Sequence, residues 1–123
     1  MSHYNFPMTL SNLLDVLHSK GITVEKDVRI KGLSGVYHEF NAVLNGKVGV
    51  LIANENISQE DSLRIVLKKM DTGLRIIVIS ENPISGSQKY ILEEMGIDIV
   101  EGNDWEKISE VIMLILRQLD QGR

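Results

Sequence analysis

The stretch Gly32-Leu-Ser-Gly-Val-Tyr-His-Glu-Phe-Asn41 gathers the residues of this chain best suited to chemistry. Side chains alternate along an extended strand, so Val36, His38, Phe40, Ala42 and Leu44 share one face while Tyr37, Glu39, Asn41 and Val43 share the other. Glu39 and Asn41 are therefore neighbours, one anionic and one neutral oxygen donor aimed the same way. A hard cation such as Mg²⁺ prefers several anionic oxygens. This pair supplies one charge, so a metal site here is incomplete. The alternation places His38 with Val36 and Phe40, which predicts a buried, hydrogen-bonded histidine. His3, His18 and His38 have no metal-ligand spacing, and with no cysteine in the chain thiolate chemistry and disulfides are excluded.

Two turns must hold that strand. Gly32 to Gly35 joins strand to strand, with neither a following Lys-Ser/Thr nor a helix start, so it predicts a bend and not a phosphate loop. Asn45-Gly46 suits a two-residue hairpin turn, because both residues tolerate positive φ. Beyond it, Val48 to Ala53 is an almost wholly apolar strand with no acid, and its lysine, Lys47, lies in the turn mouth.

Around this centre the chain reads as helix, three strands, then alternating helices and strands. Residues 1–8 are expected to be a leader and 9–119 a single domain, with 120–123 a tail. Leu10, Leu13, Leu14 and Leu17 mark a first helix closed by Gly21; Ile22 to Ile30 alternates as strand with a turn near Glu25–Asp27. Ser58 with Asp61 predicts a capping box, and the helix behind it is expected to bury Leu63, Val66, Leu67 and Met70. Leu74 to Ile79 reads as a strand covered on both faces. A short helix with Tyr90, Ile91 and Met95 inward follows, then a strand over 97–100. Asn103 or Asp104 caps a last helix that is apolar all round from Val111 to Leu116. Excess apolar surface there predicts a homodimer through Val111, Ile112, Ile115 and Leu116. The order αβββαβαβα implies an α/β sandwich of three layers, its mixed sheet flanked by helices.

The 123 residues, 43% hydrophobic and 24% charged, fit one globular domain. A net charge of −4 excludes a strong, indiscriminate polyanion binder but leaves room for a local basic patch. Lys26, Arg29 and Lys31 beside the glycine bend, with Lys68 and Lys69 and also Arg64 on the second helix, are the candidate nucleic-acid contacts. No apolar run is long enough for a membrane span, the start does not resemble a secretion signal, and a cytoplasmic setting is expected.

The Gly32–Asn41 stretch, together with Lys68-Lys-Met-Asp-Thr-Gly73 and Gly96-Ile-Asp-Ile-Val-Glu-Gly102, resembles the archaeal Mrr-like restriction endonuclease domain of the PD-(D/E)XK nuclease superfamily. The resemblance spans roughly residues 9–119 and implies a restriction-endonuclease-like fold. It implies Mg²⁺ or Mn²⁺ held by an acid at position 41 and by a second acid one strand on, with a lysine two residues later to activate water. Here Asn stands at 41 and the next strand has no Asp/Glu-x-Lys; Glu55 has Ile57 two positions on. Glu39 and Asn41 are thus vestigial positions. The expectation is a catalytically degenerate nuclease-like domain without a cofactor that keeps a binding role, toward nucleic acid or a protein. One alternative is an active endonuclease with a migrated site that recruits an acid such as Asp15. The other is a dimeric assembly module.

Overall fold

The computed structural model describes residues 5–53 and 56–121. Nine elements follow the expected order: α1 (Asn5–Ser19), β1 (Val24–Lys31), β2 (Tyr37–Leu44), β3 (Val48–Ala53), α2 (Gln59–Thr72), β4 (Arg75–Ser80), α3 (Gly86–Glu94), β5 (Asp98–Glu101) and α4 (Trp105–Gln121). They build an open five-stranded mixed sheet in sequential order β1-β2-β3-β4-β5. The first three strands run antiparallel, and β3, β4 and β5 are parallel.

Sequential order dictates the layers. Both β-α-β crossovers step the same way across the sheet, so right-handed connections put α2 and α3 on one face. The other face is left to α1 and α4. Each layer has its own core. Leu13, Leu14 and Leu17 of α1 meet Ile108, Ile112, Ile115 and Leu116 of α4 over Ala42, Leu44, Val48, Val50, Ile77 and Ile79. On the opposite side Val66 and Leu92 cover Phe40, Val43, Ile76 and Val78. Ile76 to Ile79 are all at most 1% exposed, as a strand covered on both faces requires.

The turns obey their residues. Asn45 and Gly46 adopt φ of 52° and 67°, and Lys47 N–H donates to the Leu44 carbonyl at 3.0 Å to close the hairpin. Ser58 and Asp61 form the expected capping box of α2, and Gly73 ends that helix in the left-handed region. Asp104 caps α4, accepting from the N–H groups of Glu106 and Lys107.

Several expectations are corrected. The helix α1 begins at Asn5, inside the supposed leader; a proline in the first turn, Pro7, forfeits no helical hydrogen bond there. Residues 1–4 of that leader, with His3, residues 54 and 55, and residues 122 and 123 of the tail lie outside the described residues. The rest of the tail, Asp120 and Gln121, belongs to α4. On α2 only Ser62 and Val66 are buried, while Leu63, Leu67 and Met70 are 55%, 59% and 63% exposed. The helix is rotated so that Ser62, Ile65, Val66 and Lys69 turn inward, and the apolar stripe faces out. In α3 the buried residue is Leu92, with Tyr90 and Met95 exposed. Ile112, Ile115 and Leu116 are buried by the sheet and α1 of their own chain, so they are closed to a second subunit; of the four residues expected in a dimer only Val111 is exposed. No helix among the described residues is long and apolar enough to cross a membrane.

Candidate functional site: the cleft beside Lys68

The β1–β2 ribbon changes layers along its length. Val24, Ala42 and Leu44 pack in the α1/α4 core, whereas Val28, Ile30 and Phe40, from the same alternation, pack in the α2/α3 core. The changeover falls at Asp27, which has φ 50° between the Lys26/Ala42 and Val28/Phe40 pairs; β1 runs unbroken through it, in place of the turn expected near Glu25–Asp27. The β2–β3 pairing reaches as far as Ala42 opposite Val50. Past that point the strands part, and the Asn41 side chain stands in for the ladder: its Oδ1 accepts the Ile52 N–H at 2.9 Å. A parting strand would otherwise orphan that donor. Phe40 lays its ring over Gly49, where a Cβ would come within 2.6 Å of the ring.

Parting β2 from β3 opens a cleft of about 500 Å³ lined by Asp27, Arg29, Glu39, Phe40, Asn41, Leu51, Ile52 and Lys68. A second cleft of about 410 Å³ adjoins it across Lys68, Leu51 and Ile52, with Asn56, Asp61 and Arg64 on its wall. Lys68 stands between them, half-buried. Its Nζ donates to the Glu39 carbonyl at 2.6 Å and lies 5.4 Å from the centre of the Phe40 ring. Desolvation lowers the pKa of this amine, and the Glu39 charge pulls in the opposite direction.

One turn further along α2, Asp71 holds the glycine bend. Its Oδ1 accepts the Ser34 N–H at 2.9 Å and its Oδ2 the Ser34 hydroxyl at 2.7 Å. His38 Nε2 lies 2.7 Å from Oδ2 and is the donor, since an ionised carboxylate can only accept. The Leu33 N–H reaches the Asp71 carbonyl at 2.9 Å. A Cβ on Gly32 would come within 1.9 Å of Asp71 Oδ2, which is why glycine stands there. The Ser34 and His38 bonds hold the Asp71 pKa down at about 2, from the usual 3.8.

The structure sorts the sequence-predicted residues. Glu39, Asn41, Arg29 and Lys68 share the cleft. Lys31 is exposed beyond it, opposite Tyr37 on the same face of the ribbon as Arg29. Lys26 pairs with Ala42 on the far side of the changeover and is not among the cleft residues. Lys69 points away, its Cε near Gly96, into a separate depression with Lys47, Gly73 and Arg75. Asp15 is exposed on α1, in the opposite layer from the cleft. Other acids are occupied: Asp98 takes two bonds from Arg75, and Glu101 accepts from the Ile84 N–H and Lys89, which lowers its pKa. Among the described residues, no three His, Asp or Glu gather where they could hold a metal ion. Glu39 offers one carboxylate and Asn41 an amide oxygen already accepting from the Ile52 N–H, a pair short of the several anionic oxygens that Mg²⁺ or Mn²⁺ prefers.

Sequence reasoning gave His38 its hydrogen-bonded role but missed Asp71 as its partner. A helix-terminal acid 33 residues away leaves no local pattern.

No protein-family model and no curated protein matches the sequence. Two solved structures resemble the fold. A protein of unknown function, AF1548, aligns over 75% of this chain and 54% of its own, with a TM-score of 0.60 and 16% identity. Protein VC1899 from Vibrio cholerae aligns over 89% of this chain and 32% of its own, with a TM-score of 0.62 and 15% identity. The chain thus spans about half of one and a third of the other, and what it shares with them is the fold.

Proposed function

We propose that this chain is a nuclease-like domain, set in the cytoplasm, that no longer cleaves and that binds nucleic-acid phosphates in the cleft beside Lys68. The observation that carries this is Lys68 itself. Burying a cation beside a backbone carbonyl costs hydration, and the charge of an approaching phosphate would offset that cost. Arg29 and Arg64 stand on the outer walls of the two clefts that Lys68 separates, so one strand could be gripped at successive phosphates. The metal position fits binding without scission, since Asn41 brings a neutral amide, already bonded to the Ile52 N–H, where a carboxylate would help sharpen a water nucleophile.

Fluorescence anisotropy with labelled DNA and RNA at low salt tests the reading. With three to four phosphates neutralised, log K should fall with log salt at a slope of about −2 to −3.5. Lys68→Ala should weaken binding about tenfold. Binding should also fade on the alkaline side earlier than an ordinary lysine would dictate, because the Lys68 pKa is lowered by desolvation. Absence of binding to any probe at low salt removes the proposal. Plasmid incubated with Mn²⁺ should stay intact; scission abolished by Glu39→Ala would restore the active-nuclease alternative.

A second reading, a protein-docking module, is favoured by the exposed Leu63, Leu67 and Met70 at i, i+4 and i+7 on α2. That spacing is the one by which helices lie in a groove. Polar substitution of all three should then abolish association seen by light scattering.

A further inference from the structure

The β1–β2 turn carries a side chain that the fold does not need. Leu33 is 95% exposed, and Val36 and Tyr37 next to it are 57% and 53% exposed. Yet the backbone that presents Leu33 is tied down at nearly every residue. Gly32 N–H donates to the Val36 carbonyl at 2.8 Å, Gly35 N–H to the Gly32 carbonyl at 3.0 Å, and Leu33 and Ser34 are both bonded to Asp71. A turn fixed this firmly offers an apolar side chain with little conformational entropy left to lose on binding.

Its surroundings are cationic. The Arg29 guanidinium lies 5.0 Å from the Tyr37 ring centre, and the tyrosine is about half exposed beside it. Lys31 is the cross-strand partner of Tyr37. Alternation puts Lys31, Tyr37, Arg29 and Glu39 on one face of the ribbon, and Arg29 and Glu39 line the cleft, so this face runs from the turn into it. Its acids, Asp27 and Glu39, lie at the cleft end, where Arg29 is the cross-strand partner of Glu39, and Lys31 lies next to the turn. A phosphate chain leaving Lys68 therefore passes Arg29 and Lys31 and arrives at Tyr37 and Leu33.

We infer that this turn is a preorganised wedge for nucleic-acid bases, and that the chain selects strands whose bases are unpaired or easily unstacked. Leu33 inserts between bases and Tyr37 stacks on one, which are the two means by which proteins hold unstacked nucleic acid. Charge decides the occupant. Leu33, Val36 and Tyr37 form a small apolar group beside Arg29 and Lys31, which suits a polyanion better than a protein partner, for which a larger apolar patch is the rule. The inference rests on the proposed nucleic-acid reading of the cleft.

Three labelled probes of equal length test it: a single strand, a duplex with a single-stranded flap, and a fully paired duplex, with 2-aminopurine placed at the flap junction. The first two should bind about tenfold tighter than the third, and 2-aminopurine emission should rise as the base unstacks. Leu33→Ser and Tyr37→Ser should each bring the three affinities together and suppress the emission change, with melting temperatures unchanged because both side chains lie outside the core. Equal affinities in the unmutated protein, or a preference that survives both substitutions, would overturn the wedge while binding that Lys68→Ala weakens keeps the cleft. Failure to bind all three probes would remove both.

Discussion

Asp71 and Lys68 sit one helical turn apart where α2 meets the β1–β2 ribbon, and they have opposite valence. At Asp71 both carboxylate oxygens are taken by Ser34 and His38. It is a closed knot, with both oxygens committed to the turn it holds. At Lys68 a single short bond to the Glu39 carbonyl leaves further N–H donors aimed into an open cleft. The glycines, the histidine and the aspartate of the bend belong mostly to the closed knot. They build the frame. What capacity for chemistry remains lies three residues earlier in the helix.

Breaking the knot should have the largest effect. Asp71→Ala strands Ser34 and His38 together, and we expect it to lower the melting temperature more than Gly49→Ala, Asn41→Ala or Leu67→Ser. The acid dependence has a definite sign. A carboxylate whose folded pKa is about 2, below the usual 3.8, stabilises the fold above 3.8 and loses that contribution as pH falls toward 2. Denaturant titrations from pH 5 to pH 2 should show the loss, and Asp71→Asn should blunt it. Next comes Gly49→Ala, which drives a methyl into the Phe40 ring and should cost about 1–3 kcal/mol.

Asn41 sharpens the comparison at the open end. Asn41→Ala orphans the Ile52 N–H and should cost about 1–3 kcal/mol, whereas Asn41→Asp keeps an acceptor in place and should cost less. If the two cost the same, the amide is not standing in for the ladder. Smallest is Leu67→Ser, expected within about 0.5 kcal/mol because the side chain is exposed. A loss near the 2–5 kcal/mol of a buried leucine, to order of magnitude, would mean the stripe is covered after all.

The element order, both tight turns and the caps of α2 and α4 were legible because each depends on residues within a few positions. Asn45-Gly46 and Ser58 with Asp61 carry their geometry locally. Helix rotation is different. On α2 the apolar residues Leu63, Leu67 and Met70 promised an inner face, but the sheet took Ser62 and Val66. An apolar stripe records what can be buried, and tertiary packing decides what is. The same limit applied to α4, whose all-round apolar run pointed to a partner although its own sheet and α1 cover Ile112, Ile115 and Leu116. At the site, Glu39 and Asn41 were placed together by strand alternation. The closeness of Lys68, and the remoteness of Lys69 next to it, came from helix phase alone.

The ribbon's change of layer has a consequence for how the molecule melts. Since β1 and β2 contribute Val24, Ala42 and Leu44 to one oily compartment and Val28, Ile30 and Phe40 to the other, neither compartment can come apart without stripping the same pair of strands. The two are sewn by one thread, and calorimetry should record one cooperative transition where a sandwich of separable halves would give two.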